Sequence, residues 1–241
     1  MRLFFFIVII VTIANNCRHS SVKENNPTDK LTTDTVRSQF ADSTGIGVKG
    51  QNKLVIRHYE YEYKGTDSCN LKIFFYEKAG NKWRQIQSFC FDLSCIIDLN
   101  DEDEITIQDY NNDGFNDLTY HSYIAARGGN EIRKLFIFSP IKKELEYIRN
   151  SEKYPNLSYN KELDCLDAFA LYGGSSTYFL KIESDTLREF AKIDLWGNHR
   201  TVSTVDKQGK EKVIHEDSVA DDDAPYIKYK NFKTLEKYTD D

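Results

Sequence analysis

The sequence predicts an all-β protein, and three observations carry this prediction. Aromatic residues make up 13% of the chain, with 15 Tyr and 15 Phe, and these residue types favour strands. Short segments of alternating or β-branched character recur along the chain after about residue 50. Turn signals separate the segments, which is the pattern of a sandwich, a barrel or a propeller-like fold.

The strand signals follow one another in a clear order. In residues 58–63 aromatic side chains alternate with charged or polar ones, so one face of a strand is apolar and the other is wet. Residues 71–76 and 83–89 flank Ala79-Gly80-Asn81, and this arrangement predicts a hairpin. Further strands are predicted at residues 105–107, 118–123, 135–138, 145–148, 169–172, 178–182, 187–193, 201–205 and 212–215.

The N-terminus predicts export. Arg2 precedes an apolar run at residues 3–13, which is short for a bilayer span and suits the core of a signal peptide. Cys17 follows this run closely, as in a bacterial lipoprotein cleavage site. We therefore expect a signal peptide at residues 1–16, a lipid on Cys17, and a location in the periplasm or at the cell surface, with the lipid as the sole membrane attachment.

Residues 17–50 are polar and lack a repeating apolar pattern. Such composition is typical of a flexible, disordered tether. We expect this tether to connect the lipid to one β domain at residues 51–241. The acidic run at residues 221–223 is interpreted as a solvated loop.

The remaining cysteines leave two alternatives open. If Cys17 carries lipid, four cysteines in an oxidising compartment allow two disulfides with three possible pairings. Buried free thiols are the other interpretation. The four residues are Cys69, Cys90, Cys95 and Cys165.

Charge and motifs argue against two function classes. The formal net charge is -6, and Lys and Arg form no cluster of the kind that binds nucleic acid. The sequence holds no HExxH, GxSxG, P-loop or GxGxxG motif. We therefore expect a protein that is not an enzyme and does not bind nucleic acid.

Residues 109–117 predict a calcium site between two strands. Oxygen-bearing side chains occupy positions 109, 111, 113 and 117 around a turn that Gly114 permits, and hard oxygen ligands at this spacing suit Ca²⁺. Tyr120 stands where an EF-hand has its bidentate Glu, and the flanks read as strands rather than helices, so the predicted site is structural. An Asn/Asp/Gly turn that binds nothing is the alternative. The predicted ligands are the side chains of Asp109, Asn111, Asp113 and Asp117 and the backbone carbonyl of Phe115.

Residues 109–118 resemble the calcium loop of FG-GAP and related propeller repeats. The order of later segments, at residues 128–130, 134–138 and 184–187, is similar to that of periplasmic lipoproteins with a propeller-like fold and bound calcium. Members of that family protect bacteria from peptidoglycan-cleaving effectors of bacteria-killing type IV secretion systems. The resemblance covers about residues 55 to 215.

This resemblance implies binding and inhibition of a peptidoglycan hydrolase, a lysozyme-like effector, in an immunity-type role. Several lysozyme inhibitors insert a Ser-Gly-x-x-Tyr loop into the enzyme; residues 173–178 are the nearest match, with a different order and spacing, and make Tyr178 the candidate for the partner contact. Tyr178 packing inward from a strand is the alternative. The alternative function is a periplasmic or surface module that binds glycan or another protein and uses calcium structurally.

Overall fold

The computed structural model of the protein describes residues 35–63, 66–93, 99, 104–220 and 226–238, with the side chains of residues 60–63, 66–70, 92 and 93 left undescribed. These residues form antiparallel strands and two single-turn 3₁₀ helices, with no α-helix among them. The all-β prediction is confirmed. The predicted signal peptide, Cys17, the Cys69 and Cys95 side chains and residues 221–223 lie outside what is described.

The strands are β1 Thr35–Asp42, β2 Asn52–Tyr63, β3 Thr66–Ala79, β4 Lys82–Leu93, β5 Ile105–Gln108, β6 Asp117–Ala125, β7 Asn130–Ser139, β8 Glu144–Ile148, β9 Ser158–Asn160, β10 Cys165–Leu171, β11 Ser175–Glu183, β12 Thr186–Trp196, β13 His199–Val205 and β14 Glu211–Ser218. The 3₁₀ helices are Ala126–Gly128 and Ser151–Lys153. Each strand candidate named from the sequence overlaps one of these strands, and Tyr172 of the candidate at residues 169–172 lies one residue beyond β10. The predicted hairpin is β3–β4, whose last paired residues are Ala79 and Lys82.

Three antiparallel sheets follow one another along the chain. The first has the order β1-β2-β3-β4, the second β5-β6-β7-β8, and the third β14-β13-β12-β11-β10-β9. In each sheet, strands that are consecutive in sequence are neighbours. This is the simplest meander connection, since antiparallel strands can be joined by short turns.

Apolar clusters hold the sheets face to face. One cluster joins the first two sheets, another joins the opposite face of the second sheet to the third, and the last covers the other face of the third sheet. Phe136 and Leu135, neighbours on β7, show how the second sheet is buried on both faces, because the first belongs to one cluster and the second to the next. Tyr229 and Phe232, from the C-terminal segment, complete the last cluster.

Residues 35–50 correct the expected tether. β1 pairs with β2 from Thr35 to Asp42, and Ile46 beyond it is fully buried in the first core cluster. The assignment of these residues to a tether is therefore wrong. The polarity of β1 misled the prediction, because it is an edge strand with mostly exposed side chains and only Ser38 buried.

β14 forms the outer edge of the third sheet. Val202 pairs with His215 and Ser203 with Val213, which leaves Ile214 as a bulge. Nearly all side chains of this strand are exposed, including Val213 and Ile214.

Candidate metal-binding loop

The predicted calcium loop lies between strands, as the sequence indicates. It starts after β5, which ends at Gln108, and its last residue, Asp117, opens β6. β5 and β6 pair from Gln108 with Asp117 to Ile105 with Tyr120, so the two ends of the loop are fixed by the strand pairing. An EF-hand, with a helix on each side, is excluded for this segment.

The Asp109 carboxylate folds the loop around itself. Its Oδ1 accepts hydrogen bonds from the backbone N–H groups of Asn111 and Asp113, both at 3.2 Å. Its Oδ2 accepts one from Gly114 N–H at 2.8 Å. Gly114 has φ +85°, and nothing lies within 4 Å of the position of a Cβ, so the backbone conformation rather than space calls for glycine here.

Asn111 and Asp113 meet on the exposed side of the loop. Asn111 Nδ2 donates to Asp113 Oδ2 at 3.0 Å, and Asp113 Oδ1 accepts from Phe115 N–H at 2.9 Å. The structure thus brings the side chains of Asp109, Asn111 and Asp113 into one turn. Their oxygens are hard donors of the type that Ca²⁺ takes.

Asp117 occupies a different environment from the other loop acids. Its carboxylate is fully buried and accepts hydrogen bonds from Tyr110 N–H and Phe138 N–H, each at 2.8 Å. Burial raises the pKa of Asp117 to about 7, the two hydrogen bonds oppose this rise, and the charges of Asp113 and Asp109 add to it. In this conformation Asp117 clamps the two ends of the loop to β7.

The carboxylates alone do not form a metal cage. Among the described residues, no group of three or more His, Cys, Asp or Glu side chains is placed to hold a metal ion. A site in the loop would therefore need the Asn111 amide oxygen and the Phe115 backbone carbonyl as well as carboxylates. The donor set fits a hard cation by its chemistry.

The loop is a junction between distant parts of the fold. Gly47 N–H, after β1, donates to Asn116 O at 2.9 Å. Asn112 Nδ2 lies 3.4 Å from Asp164 Oδ1, in the turn between β9 and β10. The Phe115 ring belongs to the partly buried residues packed against the first core cluster. All three sheets therefore meet at residues 109–117.

Tyr178 lies within β11 and not in an exposed loop. It pairs with Ala168 on one side and with Lys192 on the other. Its ring packs edge-to-face on Tyr154 at 5.6 Å, and burial raises its pKa. Tyr178 is therefore a half-buried strand residue, as the alternative interpretation expected. A contact of Tyr178 with a partner protein stays a prediction.

Cys165 bears on the cysteine alternatives. It is buried at the start of β10 and forms no disulfide. Burial in apolar surroundings raises the pKa of its thiol to about 12, with the charge of Asp167 adding to the effect. Cys165 is therefore a buried free thiol, and the alternative in which all four cysteines form two disulfides is wrong.

Sequence reasoning missed an exposed aromatic pair beside the turn at Gly173-Gly174. Tyr172 and Trp196 are 50% and 64% exposed, and their rings lie nearly parallel with centroids 6.1 Å apart. The sequence signal that could have indicated this pair is Gly173-Gly174 next to Tyr172, followed by Trp196 shortly after the predicted strand at residues 187–193.

The comparisons with known proteins give little. No protein-family model matches the chain, and no curated protein matches it. A solved structure described as a Xanthomonas type IV secretion system related protein is similar at a TM-score of 0.44 and 12% sequence identity, over 73% of this chain and 93% of that chain. A likeness of this degree carries no argument about function. Within the part of the chain that is described, no helix has the length and apolarity to cross a membrane.

Proposed function

We propose that this protein is an exported, lipid-anchored, calcium-binding β protein that binds and inhibits a peptidoglycan hydrolase, without enzymatic activity of its own. The calcium part is supported by the turn that contains Asp109, Asn111 and Asp113, whose side chains are held in one loop by hydrogen bonds to each other and to the loop backbone. The inhibitor part is supported by the resemblance of residues 109–118 and their surroundings to the propeller-like lipoproteins described above.

Calcium has a structural role in this proposal. The loop joins all three sheets, so an ion bound to it stabilises their mutual packing. The sheets succeed one another in chain order, each an antiparallel meander, as blades of a propeller do. Because no bidentate Glu completes the loop, we expect a dissociation constant of about 10⁻⁴ to 10⁻³ M, the range of extracellular calcium modules.

A thermal melt in calcium and in chelator tests the ion. At roughly 10 mM calcium, the expected affinity gives a stabilisation of about 1.4 to 2.7 kcal/mol, from RT ln(1 + [L]/Kd). For a domain of this size that corresponds to a rise in Tm of about 3 to 10 °C. Magnesium at the same concentration is expected to give a smaller rise, because it demands a tighter octahedral site.

Asp113→Ala is expected to abolish the calcium-dependent rise. Asp206→Ala is the matched control, because Asp206 also closes a tight turn by accepting backbone N–H groups, from Gln208 at 2.9 Å and Lys210 at 2.8 Å. The control variant should lose stability equally in calcium and in chelator. An equal calcium response of both variants and the parent would exclude residues 109–117 as the site.

The inhibitor role is tested with purified lysozyme-like effectors and a peptidoglycan-clearing assay. The protein is expected to slow clearing in proportion to its concentration. Tyr178 is tested by Tyr178→Phe, which keeps the packing on Tyr154 and removes the hydroxyl, and by Tyr178→Ala, which removes both. Loss of inhibition in both variants, at unchanged melting of the Phe variant, supports Tyr178 as the contact. Full clearing in the presence of the parent protein contradicts the inhibitor proposal.

A further inference from the structure

The exposed aromatic pair, Tyr172 and Trp196, lies beside a turn whose two glycines leave room for the Trp196 ring. At Gly174 a Cβ would lie 2.3 Å from the backbone oxygen of Leu195 and 3.1 Å from the Trp196 ring. At Gly173 a Cβ would lie 3.7 Å from that ring. The two glycines therefore let the indole lie directly on the turn, while the rest of the ring faces solvent.

Tyr172 is fixed in place beside Trp196 by its hydroxyl. The hydroxyl lies 2.6 Å from Ser176 Oγ, and Ser176 Oγ in turn hydrogen-bonds to Asp194. The orientation of Tyr172 is therefore defined both at its ring, by Trp196, and at its hydroxyl, by Ser176. Tyr172 and Trp196 together form what we call the aromatic platform.

A row of hydrogen-bonding groups leads away from the aromatic platform on the same face of the third sheet. Lys192 Nζ lies 3.0 Å from Asp194 and 3.0 Å from Glu211. The row ends at a cleft of about 560 Å³ that Tyr154 and Glu189 line together with Lys192 and Glu211. Residues of one face alternate along β11 and β12, so the platform, the row and the cleft follow one another along one surface.

The charges of the row decide what kind of ligand fits. Lys192 lies between two carboxylates and pairs with both, so the lysine charge is compensated and the row keeps one excess negative charge. The excess charge repels an anionic ligand, and a cationic ligand would compete with Lys192 for its two carboxylates. A neutral ligand with many hydroxyl groups can instead share their hydrogen bonds, since each carboxylate keeps further acceptor sites.

The turn between β6 and β7 is strained and is held to Leu171, the residue before Tyr172. Ala126 and Arg127 have φ of +49° and +54°, which costs energy for residues with a Cβ. Asn130 ties this turn to Leu171, donating to its O at 2.9 Å and accepting from its N–H at 2.8 Å. Strain that the surrounding structure maintains is a feature of ligand-binding surfaces.

We propose that the aromatic platform and the adjoining polar row bind a neutral oligosaccharide. The C–H-rich face of a pyranose ring packs on an aromatic face, where the π electrons are negative and the C–H hydrogens slightly positive. Its hydroxyl groups reach the carboxylates of Asp194 and Glu211. This site is separate from the calcium loop and requires neither the ion nor a hydrolase.

Binding is measured first by fluorescence. The chain has two Trp, so Trp83→Phe leaves Trp196 as the single Trp emitter. Titration of this variant with chitotetraose, and separately with maltotetraose, is expected to give a saturable shift of the emission with at least one of them. No shift with either sugar at tens of millimolar overturns the proposal.

Calorimetry on the other variants assigns the site. Trp196→Ala is expected to weaken binding at least tenfold, Tyr172→Ala severalfold, and Trp196→Phe less than Trp196→Ala. Trp83→Ala, at another exposed Trp, should bind as the parent does. Equal binding by Trp196→Ala and the parent overturns the site.

Sedimentation separates a sugar site from a protein interface. If the platform instead joins two copies of the chain, the parent dimerises, Trp196→Ala stays monomeric, and neither responds to sugar. This set of results overturns the proposal. Hydrolase inhibition is assayed separately in the same variants. A protein that binds sugar without inhibiting the enzyme would refute the proposed function and leave this inference standing.

Discussion

The buried carboxylate of Asp117 makes the stability of the fold depend on pH. Its folded-state pKa is about 7, because burial disfavours the charged form, against an ordinary value of 3.8. Between these two values the folded state holds a proton that the unfolded chain has released. The free energy of unfolding therefore falls as pH rises through this window, and it is highest at the acidic end.

The size of the effect follows from the two pKa values. Each pKa unit corresponds to about 1.4 kcal/mol, so the full difference is on the order of 4 kcal/mol between pH 4 and pH 8. Calcium at Asp109 and Asp113 would place positive charge close to Asp117 and favour its ionised form. We therefore expect a weaker decline in calcium than in chelator.

Asp117→Asn isolates this effect from the other acidic groups. The amide does not titrate and its oxygen can accept from either Tyr110 N–H or Phe138 N–H, which leaves the other group unsatisfied at a cost of about 1–3 kcal/mol. Denaturant unfolding at a series of pH values in chelator should show the variant less stable than the parent at pH 4.5. The difference in free energy of unfolding between parent and variant should narrow or reverse by pH 8. Parallel pH curves for parent and variant would refute the burial argument.

Three further predictions concern the rest of the fold. Gly174→Ala should lower stability by about 1–3 kcal/mol, because its methyl group overlaps the backbone oxygen of Leu195, and a thermal melt measures this loss. Asn156→Ala should lower the free energy of unfolding by about 2–4 kcal/mol, since the Asn156 side chain hydrogen-bonds three backbone groups and the residue has φ +51°. Asn156→Gly removes the same bonds but tolerates the positive φ, so its loss should be smaller. Cys165 should resist alkylation at pH 8 in the folded protein and react after unfolding, as peptide mapping by mass spectrometry would show, because its pKa is raised to about 12.

The strands were predictable because their side-chain patterns are local. Alternation at residues 58–63 and the turn at Gly80 predict β2 and the β3–β4 hairpin from neighbouring residues alone. β1 was missed because an edge strand with exposed side chains has no such pattern. Its position depends on backbone pairing with β2 and on Ile46, which is buried beyond its end.

The loop was predictable in outline, and the role of Asp117 was not. Spacing places the oxygens of Asp109 and Asp113 in one turn, because a tight loop brings alternate residues together. The inward orientation of Asp117 depends on Phe138, which comes from a strand more than twenty residues away. For the same reason the aromatic platform was not visible in the sequence, since Tyr172 and Trp196 meet across a sheet.

The bulge at Ile214 has a consequence for how the protein behaves at high concentration. An edge strand with neighbouring exposed apolar residues is a template for strand addition and aggregation. Within the described residues no strand lies beyond β14, and Val213 and Ile214 are exposed there. The bulge interrupts the regular spacing of backbone groups, so an incoming strand meets at most the short runs at residues 211–213 and 215–218. Charged side chains flank the apolar pair on both runs, and together these features keep the long sheet from growing into the next molecule.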